Sequence, residues 1–358
     1  MDEIEVMLKE LTEASGVSGY ETGARAVMKK YFSGLGELSQ DKLGSLMCTK
    51  TGTAASPRVL IAGHMDELGF MVKHITKEGF IKFTSLGGWI TQCLPAQRVA
   101  IQTSKGDILG VINIPPPFSM SDEERKKAVE RKDMYIDIGA TSELEVREIG
   151  VRVGDPVVPI SQFTVLNVPL KTYMAKAFDD RMGNAVTVAV MQNLVRETHP
   201  NTVIGVATVQ EEVGARGAYT CVDCIGPDVA IIVDVDIAGD IPGMKPDESV
   251  NKFGGGPTVL AYDVRMIPNI KLRDLVIETA KEMNIPIQVS AIEIGSTDGG
   301  PIHLHKTGVP TVVLGVPTRF VHSHNSILRR DDFDATVTLA TAVLKRLDGK
   351  TVAGFTEW

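Results

Sequence analysis

The sequence predicts an α/β protein with a mostly parallel central sheet covered by helices, and with an inserted β segment. Apolar runs of strand length alternate with stretches of helical periodicity, both before residue 70 and again after residue 173. Between them, residues 71–167 hold short β-type runs that glycine and proline interrupt, as in a small barrel or sandwich. We therefore expect one α/β domain from residues 1–70 and 168–358, with residues 71–167 inserted as a β domain.

The amino-terminal region predicts two helices and a buried strand. Apolar residues from Ile4 to Leu11 recur at a spacing of three and four, and a second helical pattern covers Glu21–Phe32. Leu38–Met47 alternates weakly and predicts a strand around a turn at Gly44. Arg58–Gly63 is an apolar run of the kind found in buried parallel strands.

The inserted segment predicts several strands and one surface insertion. Pro115–Pro117 and the charged run Ser121–Asp133 indicate a surface insertion whose charges face water. The expected strands are Gly79–Phe83, Arg98–Gln102, Ile108–Ile112 and Asp155–Pro159.

Helices and strands alternate again in the carboxyl-terminal half, which is the pattern of a doubly covered parallel sheet. The expected helices are Arg181–Val195, Ile270–Met283 and Asp331–Leu347. The expected strands are Val203–Val209, Asp228–Val233, Ile287–Ile292 and Val309–Val316.

Composition narrows the function classes. A chain of 358 residues with 43% hydrophobic residues has ample material for two domains. A net charge of -8 and only 5% aromatic residues argue against a nucleic-acid partner, which needs a basic stripe and stacking rings. No signal peptide or membrane span is visible, and the four cysteines hold a single C-x-x-C, so we expect reduced thiols and a cytoplasmic protein without a membrane partner.

Polar segments follow the predicted strands or lie in loops, where the ligands of an open α/β sheet bind. Each has an ordinary explanation alone: a helix cap for an Asp pair, a solvated loop for a Glu pair. The segments are His64-x-Asp66, Asp179-Asp180-Arg181, Glu211-Glu212, Asp234-x-Asp236 and His322-Ser323-His324.

Together these segments would crowd many carboxylates at one rim of the sheet, which raises their pKa values unless cations are present. Two divalent ions resolve the crowding, because imidazole and carboxylate ligands suit zinc and also cobalt. The candidate metal ligands are His64, Asp179, Glu212, Asp234 and His322. Glu211 is then free to act as a base on water, while Asp236 and His324 remain alternatives to Asp234 and His322.

The same residues resemble the dinuclear metallo-aminopeptidases of the tetrahedral (TET) type, a family that also includes proteins labelled endoglucanase M and glutamyl aminopeptidase-like proteins. The resemblance covers nearly the whole chain. Its motifs are Gly63–Glu67, Ile136–Ala140, Ala177–Gly183, Glu211–Ala218, Val233–Val235, Ser296–Gly300 and Thr318–Ser323.

This resemblance implies a zinc-peptidase type α/β domain with an inserted PDZ-like β-barrel that drives dimerisation, and dimers that assemble into a dodecamer. It implies that His64 and Asp234 bind one metal ion, that Glu212 and His322 bind the other, and that Asp179 bridges them. It also implies a cis peptide bond after Asp179.

The remaining implied roles are a general base at Glu211 and an orienting partner for His64 at Asp66. The implied activity is removal of amino-terminal residues from peptides with two zinc or cobalt ions. The alternatives are a polysaccharide hydrolase of the endoglucanase type and a non-enzymatic oligomeric scaffold. Two tryptophans in the chain are few for a sugar cleft, and the complete ligand set argues against a scaffold.

Overall fold

The chain folds into two β structures, a sheet of eleven strands and a closed barrel of six. The computed structural model describes residues 1–116, 118, 121–166, 169–245, 247 and 250–357. The predicted α/β class is confirmed. The domain division at residues 70/71 and 167/168 stays a prediction, and residues 167 and 168 lie outside the described residues.

The large sheet runs in the order β1-β2-β12-β3-β13-β16-β17-β11-β10, with β14 paired to β15 and β16. The strands β12, β3, β13 and β16 are mutually parallel and form its middle, while the flanking pairs are antiparallel. Its strands are β1 Glu37–Gln40, β2 Leu46–Thr51, β3 Arg58–His64, β10 Thr164–Val165, β11 Thr172–Ala175, β12 Thr202–Thr208, β13 Val229–Ile237, β14 Thr258–Tyr262, β15 Gln288–Ala291, β16 Thr311–Arg319 and β17 Ser326–Arg329.

Helices cover both faces of this sheet. Alternate residues of β3 show it: Val59 and Ile61 pack into the larger core, whereas Leu60 and Ala62 pack into a second core on the other face. The helices are α1 Glu3–Glu13, α2 Thr22–Phe32, α3 Asp122–Arg125, α4 Glu143–Ile149, α5 Phe178–Arg196, α6 Arg216–Ile225, α7 Ile270–Glu282, α8 Gly299–His303, α9 Arg330–Leu344 and α10 Gly349–Gly354.

The barrel closes in the order β4-β5-β8-β7-β6-β9 and has its own apolar core around Phe70 and Trp89. Its first strand begins five residues after His64, the last residue of β3, so the barrel leaves the sheet next to the predicted site. The barrel strands are β4 Gly69–Ile75, β5 Ile81–Leu86, β6 Arg98–Thr103, β7 Gly106–Asn113, β8 Tyr135–Asp137 and β9 Pro156–Pro159.

A buried ionic cluster ties the amino-terminal helix to the sheet. The Arg181 guanidinium donates to the carbonyls of Leu11, Ala14 and Gly16 and lies 3.6 Å from the Glu67 carboxylate. Glu67 also pairs with the buried ammonium of Lys176. Because each charge is paired or hydrogen-bonded, the cluster can lie in the interior directly beneath residues 64 and 179.

Two of the predicted strands have a different extent in the structure. Leu38–Met47 was expected to form one strand about a turn, but it forms β1 and the start of β2, which pair antiparallel. The strand expected to end before Asp234 continues to Ile237, so Asp234 lies inside β13. Both differences arise because a neighbouring strand supplies hydrogen bonds that local periodicity does not reveal.

The expected surface insertion is described only in part. Ser121–Asp133 contains the short helix α3 and a 3-10 turn at Arg131–Asp133, and residues 117, 119 and 120 lie outside the described residues. Within the described chain, no helix has the length and apolar character that crossing a membrane requires.

Candidate active site

His64 ends β3 with both ring nitrogens engaged. Its Nε2 lies 3.1 Å from Oδ1 of Asp179, and its Nδ1 lies 3.0 Å from the backbone oxygen of Asp66. The ring is 2% exposed. A histidine whose Nδ1 is held by a backbone acceptor presents Nε2 in a fixed direction, as metal-binding imidazoles generally do.

Asp179 lies between two imidazoles. One carboxylate oxygen faces His64, and the other lies 3.3 Å from Nε2 of His322. The peptide bond between Asp179 and Asp180 is cis, as the resemblance implied. The Asp180 carboxylate accepts the backbone N–H groups of His64 and Gly183.

Glu211 and Glu212 follow β12 and face different groups. The Glu211 carboxylate lies 4.0 Å from Nε2 of His64, whereas the Glu212 carboxylate lies 3.9 Å from Nε2 of His322. Gln210, just before them, has a φ of +57°. This left-handed residue turns the chain at the strand end, so the two side chains diverge toward different imidazoles.

The Asp66 carboxylate fixes this turn. Its two oxygens accept the backbone N–H groups of Glu211 at 2.9 Å and Glu212 at 3.2 Å, and one also accepts the Ser18 hydroxyl at 2.6 Å. Asp66 is fully buried. Its position beside His64 agrees with the predicted orienting role, but its carboxylate also holds both glutamates, which the sequence did not suggest.

Asp234 and Asp236 have different surroundings. Asp234 lies with His64 and Asp180, where one ligand atom from each falls within 4.8 Å of the others. Asp236 lies two residues further along β13 and accepts the hydroxyls of Thr258 and Ser290. Those bonds occupy Asp236 away from the imidazoles, so the geometry favours Asp234 of the two candidates.

His322 and His324 also differ. His322 turns its Nε2 toward Asp179 and donates through Nδ1 to the Gly88 carbonyl at 2.6 Å. His324 is 1% exposed and lies against Trp89, with ring centroids 5.0 Å apart. Burial lowers the pKa of His324 to about 4, which makes it a neutral packing residue.

The cluster needs positive charge. Burial raises the pKa of Glu212 and of Asp234 well above ordinary values, and the Asp179 carboxylate raises both further. Burial also acts to raise the pKa of Asp179, but hydrogen bonds to His322 and His64 outweigh it and lower that pKa. Three buried carboxylates at one point are stable as anions only beside cations.

The ligand atoms suit a divalent metal. Within the described chain, two groups could hold an ion, His64–Asp180–Asp234 and His64–Asp179–Glu212. Oε1 of Glu212 is buried and has no hydrogen-bond partner among the described residues, so an ion would satisfy it. Imidazole nitrogens with carboxylate oxygens are the donors that zinc and similar ions prefer.

A cavity of about 650 Å³ opens in front of these residues. Its far wall is mainly apolar, with Ile237, Ile292 and Ile294, and Arg265 adds a guanidinium. Gly88 enters from the barrel side. A cavity of this volume can hold the end of a peptide next to the candidate ligands.

Three residues in or beside the cavity were not predicted as site residues from the sequence. Gly88 lies in the barrel, and Arg265 follows β14, which the sequence did not predict. Asp298 is buried behind the site, where it accepts the Thr208 hydroxyl. Of these, only Asp298 carried a signal, since it lies in one of the recognised motifs.

Comparisons with known proteins agree with the geometry. The model of the M42 glutamyl aminopeptidase family matches residues 44–339, and a model described as AMPT matches residues 2–28. The chain belongs to the M42 glutamyl aminopeptidase family. The resemblance noted from the motifs is thereby confirmed, and the protein is an aminopeptidase, a hydrolase that acts on peptides. The roles of the individual site residues stay predictions.

Solved structures of this family share the whole fold. The TET aminopeptidase from the marine sediment archaeon Thaumarchaeota archaeon SCGC AB-539-E09 is 47% identical with a TM-score of 0.97, and the match covers 99% of each chain. PhTET1-12s, described as a dodecamer, is 30% identical with a TM-score of 0.85, and the match covers 97% of this chain and 100% of that one.

Two relatives of this M42 protein differ in their named substrate. The lysyl aminopeptidase of Pyrococcus furiosus is 33% identical over 95% of this chain and 96% of its own length. The glutamyl aminopeptidase of Lactococcus lactis subsp. cremoris is 31% identical over 97% of both chains. Membership of the family therefore leaves the preferred amino-terminal residue open.

We expect Asp66→Asn to lower kcat/KM by about 10–100-fold, the usual cost of losing a partner behind metal ligands. The amide has one acceptor where the carboxylate offers two, so one N–H of the Glu211–Glu212 turn would face an NH₂ group. Kinetics on an aminoacyl nitroanilide, with metal content measured in parallel, check this. Ser18→Ala, which leaves the carboxylate intact, is the control, and equal rates in both variants would contradict the role.

Proposed function

We propose that this protein removes amino-terminal residues from peptides with two divalent ions in its site. His64 and Asp234 would hold one ion, Glu212 and His322 the other, and Asp179 would lie between them. The observation that supports this arrangement is the Asp179 carboxylate, which turns one oxygen toward each imidazole. A carboxylate between two imidazoles is the arrangement expected of a bridging ligand.

Zinc or cobalt fits this mixture of nitrogen and oxygen donors. Such ions would supply Lewis acidity toward the scissile carbonyl and would lower the pKa of a bound water. The chain's own part is to fix their positions: backbone acceptors orient both imidazoles, and Asp66 fixes the turn that carries Glu211 and Glu212.

Glu211 would move the proton. Its carboxylate lies on the His64 side of the cluster and lines the cavity, and its position leaves it free of the role assigned to Glu212. It would take a proton from the attacking water and give it to the leaving amine, as a general base and then a general acid. Acidic side chains of the cluster would bind the free α-amino group of the peptide substrate, which favours exopeptidase action.

Glu211→Gln tests this function. We expect metal content to stay near the wild-type value while kcat falls by about 10²–10⁴-fold, because the amide keeps the shape of the side chain but cannot accept the proton. The measurement is hydrolysis of aminoacyl nitroanilides with and without a chelator. Glu143→Gln, at an exposed residue of α4, is the control. Full activity of Glu211→Gln would remove it from this role.

The other two functions lack support in the site. A polysaccharide hydrolase needs two carboxylates that flank a sugar, usually beside exposed aromatic rings. Trp89 is buried and stacked on Phe70, with centroids 5.0 Å apart, and Trp358 lies outside the described residues. A scaffold has no need of buried carboxylates that require an ion. Carboxymethylcellulose in the same assay should therefore remain uncleaved.

Arg265 gives the cavity its only Lys or Arg side chain among the described lining residues. Its backbone N–H donates to Asp263 at 2.7 Å, and Asp263 in turn accepts the Thr297 hydroxyl, which holds this loop at the cavity. A guanidinium there disfavours a basic amino-terminal side chain. We therefore propose that lysyl substrates are poor ones, in contrast to the Pyrococcus furiosus relative.

A panel of lysyl, leucyl and glutamyl nitroanilides checks this. We expect Arg265→Glu to raise kcat/KM for the lysyl substrate relative to the leucyl one by about fivefold, a size typical of a solvated charge pair. Arg196→Glu, exposed at the end of α5 away from the site, is the matched control. An unchanged ratio in Arg265→Glu would show that the guanidinium does not face the substrate side chain.

We further propose a cytoplasmic homo-dodecamer built from dimers that the barrel joins. The dodecamer PhTET1-12s shares the fold, and four free cysteines fit a reducing compartment. Light scattering at micromolar concentration should then give about twelve times the chain mass of 38.6 kDa. A monomeric mass would contradict the assembly without affecting the proposed chemistry.

A further inference from the structure

A short loop of the barrel reaches across to the proposed ions. This barrel loop, residues 87–90, follows β5 and precedes a 3-10 turn at Thr91–Cys93. Two of its residues, Gly88 and Ile90, line the cavity. The loop belongs to the barrel by its place in the chain, yet two of its residues hydrogen-bond to His322, which follows the sheet strand β16.

The barrel loop holds His322 at two points. The His322 ring donates from Nδ1 to the Gly88 carbonyl at 2.6 Å, and its backbone carbonyl accepts the Ile90 N–H at 3.4 Å. A proton fixed on Nδ1 leaves Nε2 with its lone pair, directed at Asp179. The Gly88 carbonyl thus selects the tautomer and the ring orientation that a metal ligand needs.

Glycine at position 87 allows this approach. Gly87 has a φ of +87°, and a Cβ there would overlap the Leu68 side chain and lie 3.1 Å from Oε2 of Glu212. The barrel loop therefore lies against both residues proposed to hold the second ion. A side chain at position 87 must displace the Leu68 side chain, and it also makes a tight contact with the Glu212 carboxylate.

Trp89 fixes the loop to the barrel core. Its indole N–H donates to the Gly69 carbonyl at 3.0 Å, and its ring is stacked on Phe70. The other neighbour is the neutral His324 ring, two residues after His322. This packing accounts for His324, which the site chemistry does not use, as the apolar surface on which Trp89 is held.

We propose that the barrel loop is the positioning element for the ion held by Glu212 and His322, with the Gly88 carbonyl as the orienting acceptor. The inference rests on the proposed two-ion function. His64 takes its acceptor from the Asp66 backbone, just after β3 and outside the barrel loop, so the barrel loop acts on one ion position only. A disturbance of this loop should weaken one ion and spare the other.

Gly87→Ala tests the positioning role. We expect cobalt titration of the ion-free protein to show one ion bound as in the wild type and the second bound about 10–100-fold more weakly, with a changed visible spectrum. Gly139→Ala is the matched control, because Gly139 is also in the inserted region, has a φ of +81° and has open space around its Cβ position. Both substitutions place a side chain at a similar positive φ, but only the one at position 87 contacts the proposed ion site.

Trp89→Phe gives a second, milder test. It keeps an aromatic ring on Phe70 but removes the indole donor to Gly69, so a smaller loss confined to the same ion is expected. Thermal unfolding of the ion-free proteins measures the cost of the Leu68 overlap separately, and the midpoint of Gly87→Ala should lie below that of Gly139→Ala.

The outcomes separate the two proposals. If Gly87→Ala binds both ions as Gly139→Ala does, or loses affinity for both equally, the positioning role is wrong while the two-ion function stands. A wild-type protein that binds no second ion would refute the proposed function and this inference with it.

Discussion

Electrostatic repulsion among buried carboxylates is the constraint around which this molecule is built. Asp179, Glu212 and Asp234 lie at one point behind the cavity, in a region where an isolated charge would cost several kcal/mol. The fold must hold them together against this repulsion before any ion arrives. Rigid backbone on several sides of the cluster does so, and the ions then relieve the cost.

A second set of buried charges supports the first. Asp66 and Asp180 are more deeply buried than the proposed carboxylate ligands, but their oxygens accept backbone N–H groups. Asp66 thereby fixes the turn that carries the two glutamates, and Asp180 fixes the end of β3. Beneath them Glu67 is neutralised by Lys176 and Arg181, which closes the interior side of the site. The candidate active site therefore lies between two groups of charges: those that are paired within the protein and those that are not.

The inserted barrel takes part in this arrangement. It leaves the sheet after His64 and returns a loop to His322, so it contacts the cluster at both ends of the ligand set. The first imidazole is oriented by Asp66, just after β3, and the second by the barrel loop. The barrel thus contributes an acceptor to the site.

The local sequence pattern was sufficient to predict much of the fold and the position of the candidate site. The apolar run before His64 and the one before Glu211 predicted buried strands, and polar residues at strand ends predicted the site, because both signals depend only on neighbours in the chain. The barrel strand β4 was missed, since its alternation is weak and one of its partners is β9, where Phe70 pairs with the distant Val157. The length of β13 likewise depended on the partner strand β16.

The sequence by itself determined the fold class and the family, and it predicted a set of metal ligands whose roles stay predictions. Only the tertiary structure decided how they face one another: that Asp179 lies between two imidazoles, and that Asp66 holds both glutamates. It alone revealed the contact between Gly88 and His322, which are 234 positions apart. The physical reason is that a backbone carbonyl carries no sequence signal, so its role depends wholly on where packing places it.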